Sequence, residues 1–133
     1  MTTFDFGYGP VPAHKHPNGK GWVADSAFVP ISVFVGPNAT VYGKARVLNT
    51  VVISDNARVS GMAKISGQAW ITGNAWVHGH ANISDRVWIS DNARVFDKAR
   101  ISENAQIKGN TEICGFASIK GNIIISGETR VFR

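Results

Sequence analysis

Thiols are almost missing from this chain of 133 residues, in which Cys114 is the only cysteine. No intrachain disulfide can form, and no zinc knuckle can be built from thiolates. That usage suits a reducing compartment. Long apolar runs are missing too, since no stretch approaches the ~18 consecutive apolar residues of a membrane-spanning helix. The start, Met-Thr-Thr-Phe-Asp-Phe-Gly, has no basic region followed by an apolar run, so no signal peptide is expected. These absences predict a soluble protein without a membrane partner, held in the cytoplasm or carried in a particle. Clustered charge is lacking as well. Fourteen Lys and Arg against nine Asp and Glu give a formal charge of +5. They are scattered singly, without the interleaved aromatics of a nucleic-acid interface, so an acidic protein partner is allowed and nucleic acid is not expected. No phosphate-loop motif is present, and no cofactor is expected.

What is present is a period. From Val23 to Val131 every sixth residue is Val or Ile, at nineteen positions without a skip. A period of six sustained this long fits neither an amphipathic helix nor a hairpin meander. It marks a β-solenoid, in which each repeat adds one short strand to a growing coil. One hexad is Ile53, Ser54, Asp55, Asn56, Ala57, Arg58. Its first position is always β-branched and apolar, which suits a buried strand residue. Its fifth position is Ala in twelve of the eighteen hexads from residue 27 to residue 129. Side chains alternate along a strand, so the fifth and first positions both point inward and the residues beside the first point outward. Positions three and four are rich in Gly, Asp and Asn, which tolerate positive φ at a corner.

Larger residues set the number of sides. The bulky exceptions at the fifth position, Val33, Val51, Val87 and Ile123, are separated by 18, 36 and 36 residues. Phe34, Trp70 and Trp88 stand 36 and 18 apart, Trp22 and Trp76 are 54 apart, and Arg58, Arg94 and Arg130 step by 36. Residues eighteen apart share a column only if three hexads close one turn. The expected fold is therefore all-β, a triangular single-stranded β-helix of 18 residues per coil and about six coils. It occupies residues 21–133, behind an irregular cap at 1–20 that contains Pro10, Pro12 and Pro17. The repeat continues to the final residue, so the last coil is expected to leave its edge uncovered.

The hexads Ile53–Arg58, Ile71–Trp76 and Ile89–Arg94 resemble the hexapeptide repeat of left-handed β-helix proteins. Their Gly/Asp-Asn-Ala-Arg-Val form is similar to small insertion-free solenoids of phages and enterobacteria. The resemblance covers residues 21–133 and implies the left hand of the coil, since right-handed triangular solenoids share the period. It also implies a phage or mobile-element protein, either a virion part or an inhibitor acting in the host cytoplasm. Hexapeptide proteins include acyltransferases, γ-class carbonic anhydrases and plain scaffolds. The acyltransferases use an extruded loop and often a C-terminal helical segment, and this chain shows neither. The carbonic anhydrase pattern of a His pair five apart, with a third His from a neighbouring coil, has no match.

Outward positions supply the candidate sites. One face reads Phe34, Val52, Trp70, Trp88, Gln106, Ile124, five of them large and apolar. Such a stripe predicts a self-association surface, most simply a trimer, with cover by Phe4, Phe6 and Tyr8 as the alternative. A second face reads Phe28, Arg46, Lys64, Asn82, Arg100, Ser118 and looks solvated. The third carries Trp22, Arg58, Trp76, Arg94 and Arg130, with Tyr42, His78 and Phe96 beside them, a mixture that suits contact with a partner or ligand. His78 is the candidate general base, and His78 with His80 the candidate metal ligands in an intersubunit groove. The competing reading takes both as tolerated surface residues. Catalytic zinc needs three protein ligands, which these two do not provide. Cys114 is read as outward-facing, with no activating His adjacent in sequence. Regular ranks of Thr, the mark of an ice-binding face, are absent.

Overall fold

The inward Val and Ile of each hexad dictate an architecture of stacked laps. The computed structural model describes residues 2–133, and these contain no helix. Strands of two or three residues wind into a parallel β-solenoid of about six turns. Three sheets form its sides. The first, called here the arm face, stacks Trp22–Ala24, Thr40–Val41, Arg58–Val59, Trp76–Val77, Arg94–Val95, Glu112–Cys114 and Arg130–Phe132. The second, the tryptophan face, runs from Phe34–Val35 through Trp70–Ile71 and Trp88–Ile89 to Ile124–Ile125. The third, the basic face, runs from Arg46–Val47 to Ser118–Ile119, with Phe28 bridged to Arg46 at its start. Trp70 lies opposite Trp88, and Trp76 lies between Arg58 and Arg94. Three hexads make one lap, as the spacing of the large residues requires.

The core is a narrow apolar axis to which each hexad contributes two inward residues. First-position residues such as Ile53, Ile71, Ile89 and Val95 and fifth-position residues such as Ala57, Ala75 and Ala93 are all fully buried. The small fifth residue makes room where three strands converge. Thr111 is tolerated at that inward position because its Oγ1 donates to the Lys108 carbonyl at 2.7 Å.

Corners turn on a single residue. Every third-position residue from Gly43 to Gly127 has positive φ, including Asn49, Asp55, Asp85, Asp91, Asp97 and Glu103. The fourth position, expected to share this role, does not. One left-handed residue suffices to redirect the chain between strands, and the fourth then needs no special conformation. Asp is well suited to the turn for a second reason. Carboxylates of Asp55, Asp91 and Asp97 accept the backbone N–H of Gly73, Gly109 and Gly115 one coil on, at 3.1, 3.0 and 2.9 Å. The side chain that tolerates the left-handed corner also links it to its neighbour.

The N-terminal segment closes the first coil. Strand β1 (Thr3–Asp5) pairs antiparallel with β2 (Pro10–Lys15), and β2 with β3 (Trp22–Ala24) at the edge of the arm face. On the tryptophan face the loop at 16–21 takes the place of a preceding strand. Gly21 donates to the Val35 carbonyl at 2.9 Å, and Val35 donates to the Asn18 carbonyl at 3.0 Å. Glycine is needed here, since a Cβ on Gly21 would stand 2.3 Å from the Gly36 carbonyl oxygen. Elsewhere each coil joins the next by an N–H donating to the carbonyl 17 residues on, as Phe34 does to Val51. By that rule the carbonyl of Val33 belongs to residue 16. His16 satisfies it with its side chain, Nε2 lying 2.8 Å from the Val33 oxygen and the residue only 1% exposed. A carbonyl only accepts, so Nε2 carries the proton.

Candidate functional site

Two outer faces carry the chemistry, and alternation along the strand decides what each shows. On the tryptophan face the residue before each core position points out. Trp70 and Trp88 are 46% and 47% exposed, with ring centroids 5.6 Å apart and planes tilted by 59°. Ile124 is exposed further along, and Phe34, Val52 and Gln106 are partly covered by their neighbours. Gln68 and Arg86 at the adjoining corner, with Val87 beneath, complete a shallow groove around the two indoles. No segment among the described residues packs over these rings. The alternative of cover by the N-terminal aromatics is corrected by their positions: Phe4 stacks on Trp22, and Phe6 and Tyr8 pack against Tyr42, all on the arm face. The strand ends at Asp5 and the chain bends at Phe6, where the Phe4 and Phe6 rings meet edge-on with centroids 4.8 Å apart.

On the arm face, two outward columns run side by side. The column before the core residues places Arg58 over the Trp76 ring, with its guanidinium carbon 4.0 Å from the ring centroid. Arg94 approaches Trp76 and Phe96, each at 5.8 Å. Glu112 lies between Arg94 and Arg130, at 3.5 and 3.6 Å. Arg58 has no carboxylate within ion-pair distance among the described residues. The indole Nε1 of Trp76 donates to Ser60 Oγ at 3.0 Å, which fixes the ring's tilt.

The column after the core residues is packed from Ala24 to Cys114, and its last member, Phe132, is exposed. Tyr42, named as a contact residue from sequence, is 4% exposed because Phe6 and Tyr8 lie over it. Cys114 points away from the core, as alternation along the strand requires, yet it is fully buried and so is not an accessible thiol. It is a small residue between Phe96 and Phe132 in the same column, and Arg130 also closes over it. A covered thiol of this kind packs as a small apolar group.

His78 sits between two rings, 4.2 Å from Trp76 and 5.0 Å from Phe96, parallel to the latter within 5°. Its Nε2 is buried without a hydrogen-bond partner. Burial first, then Arg94 and Arg58, hold the imidazole below its ordinary value, with Asp97 opposing them. A neutral ring stacked on both sides is a packing element. The sign of the linkage follows. The folded value lies below the unfolded 6.5, so folding disfavours the proton and the stabilising effect is fully present above pH 6.5. It falls away as the pH drops through 6.5 toward the depressed folded value. Urea midpoints measured from pH 8 to pH 5 should therefore decline more steeply for the native chain than for His78→Phe. Parallel declines would show that His78 contributes nothing to the slope.

His80 lies elsewhere, at the next corner, in a hollow with Asp97, Lys98, Phe116 and Phe132. The structure does not unite it with His78. His14 pairs with Asp25 at 2.7 Å on the cap. No group of three or more His, Cys, Asp or Glu among the described residues is placed to hold a metal ion.

Sequence reasoning missed two features. The role of His16 is readable from the 17-residue offset of the inter-coil bonds. The seat of the arm carries no such signal, because Trp22 and Tyr42, which receive Phe4 and Phe6, recur as Trp76 and Phe96 three laps later in sequence register. No protein-family model matches the chain, and no curated protein or solved structure matches it significantly.

Proposed function

We propose that this protein is a non-enzymatic structural or protein-binding β-solenoid that works as a homo-oligomer. The observation that carries the reading is the pair Trp70 and Trp88, each nearly half exposed on a sheet face whose outward column is apolar except for Gln106. Aromatic rings held side by side on a rigid face are the usual anchors of a protein interface. Covering the exposed parts of both indoles removes about 200 Å² of apolar surface per copy, contributing about 5 kcal/mol per copy. A triangular prism with one such face is suited to a three-fold arrangement, with Phe34, Val52, Trp70, Trp88 and Ile124 of each copy turned to the axis. The arm face, with Trp76, Phe96, Arg58, Arg94 and Arg130, then remains outside and meets an acidic partner. A phage or mobile-element protein acting as a virion part, or as an inhibitor in a host cytoplasm, accords with this reading.

An enzyme working in intersubunit grooves with His78 as base is less well supported, because that ring is stacked on both sides and its Nε2 is enclosed. Sedimentation velocity is the test. The native chain is expected to run as a trimer, and Trp70→Ser with Trp88→Ser as a folded monomer. A native monomer would overturn the reading, and so would a double variant that stays assembled.

A further inference from the structure

We propose that the basic face binds a linear acidic polysaccharide laid along the solenoid axis. Its residues are not those of the tryptophan face, so the inference goes beyond the self-association reading and stands apart from it.

Two outward columns make the site. One holds Arg46, Lys64, Asn82 and Arg100, paired lap to lap by parallel strands. The other, two residues later in each hexad, runs through Ser84 and Ser102 to Lys120. Laps rise ~4.8 Å, so Arg46 and Lys120, four laps apart, span about 19 Å, and the two columns lie about 7 Å apart. That is a strip wide enough for one polymer chain. Toward its far end Asn82, Ser84, Arg100, Ser102 and Lys120 line a polar hollow of about 370 Å³, with buried Ile101 beneath.

Charge on this face is unanswered. Lys44 and Lys98 stand at its corner with the arm face, which brings six cations together. Among the described residues none of the six has a carboxylate within ion-pair distance, whereas Arg94 and Arg130 share Glu112 on the arm face. The carboxylates at its corners are mostly committed. Asp25 pairs with His14, and Asp85 and Asp97 accept the N–H groups of Glu103 and Gly115 at 3.0 and 2.9 Å. Only Glu103 holds no such bond. A single exposed ion pair contributes little, so an occupant gains affinity by engaging several cations at once. A polymer with repeated charges does this, and a small anion does not.

The side chains between the cations choose among polymers. Single-stranded nucleic acid binds by stacking its bases on aromatic rings, and the two columns carry none from Arg46 to Lys120. A protein segment needs buried aromatic anchors, which are missing for the same reason. Serine hydroxyls and the Asn82 amide both donate and accept, which suits the hydroxyl groups of sugar rings.

The test is fluorescence anisotropy of the full chain with two labelled octasaccharides, one of galacturonic acid and one of heparin. Saturable binding of at least one is expected, falling steeply with added salt. The one preferred reports whether carboxylates or sulfates are read. Arg100→Gln with Lys120→Gln should weaken binding at least tenfold, and a neutral maltose octasaccharide should not bind. Lys15→Gln with Lys108→Gln removes the same charge from other faces and should change affinity by less than about twofold. All four side chains are exposed, and urea midpoints equal to that of the native chain would show the fold intact. Absent binding of both acidic octasaccharides, or equal weakening by the two double variants, would overturn the proposal. Tighter binding of a single-stranded oligonucleotide would reassign the face to nucleic acid. Altered sedimentation of Arg100→Gln with Lys120→Gln would reassign it to a second copy.

Discussion

Replacing His16 by Ala should destabilise the protein by about 3 kcal/mol, although residue 16 precedes the first repeat. The ring is 1% exposed and its Nε2–H is the donor to the Val33 carbonyl. Every later carbonyl of that column receives a backbone N–H from the coil before it, and Val33 has no such coil. Removing the imidazole leaves a buried carbonyl unpaired, which costs about 1–3 kcal/mol, and opens a void beneath the cap. His16→Phe separates the two effects, since it restores the volume without the donor and should recover only part of the loss. Urea midpoints give the size of the effect. Hydrogen exchange at Phe34, Val35 and Gly36 gives its place, with protection expected to fall there before it falls at Trp88 or Ile89. Unchanged stability in His16→Ala would mean that the cap does not depend on this bond.

The body of the fold was legible because its physics is one-dimensional. Each hexad meets only the hexads one lap away, so a periodic sequence writes its own contact map. Trp70 and Trp88 were assigned to one column from a difference of eighteen, and the strands pair them directly. The uncovered tryptophan face was legible for the same reason. The cap was not, since residues before Trp22 follow no period and their placement depends on tertiary contacts. That is why Phe4 and Phe6 appear over Trp22 and Tyr42 instead of over the tryptophan face. Tyr42 and Cys114 show a second limit. Direction is set by alternation along the strand, but exposure is set by what stands one lap above and below. A thiol between two Phe side chains is covered even though it points outward. The hand of the coil is not contained in a six-residue period, because mirror-related laps share every spacing.

The largest effects are expected along the axis, and they should depend on position. Ile89 is fully buried, with Ile71 on the lap before and Ile107 on the lap after. Ile125 stands in the same column but is only partly buried, and it meets Ile107 on one side. Truncating a buried Ile to Ala costs roughly 2–5 kcal/mol, more where the site cannot collapse. At Ile89 the hydrogen bonds of Trp88 and Ser90 to the next lap hold the backbone in place, so the void persists. Ile89→Ala should therefore lie near the top of that range, about 4 kcal/mol, and Ile125→Ala near the bottom, about 2 kcal/mol. There is also a difference in kind. A void in the middle of a stack weakens the coupling between two halves, neither of which has many laps of its own. Ile89→Ala is thus expected to lower the urea m-value as well as the midpoint, because the halves begin to unfold separately, whereas Ile125→Ala lowers the midpoint alone. Equal losses at the two positions, with equal m-values, would show that stability is not passed from lap to lap along this column.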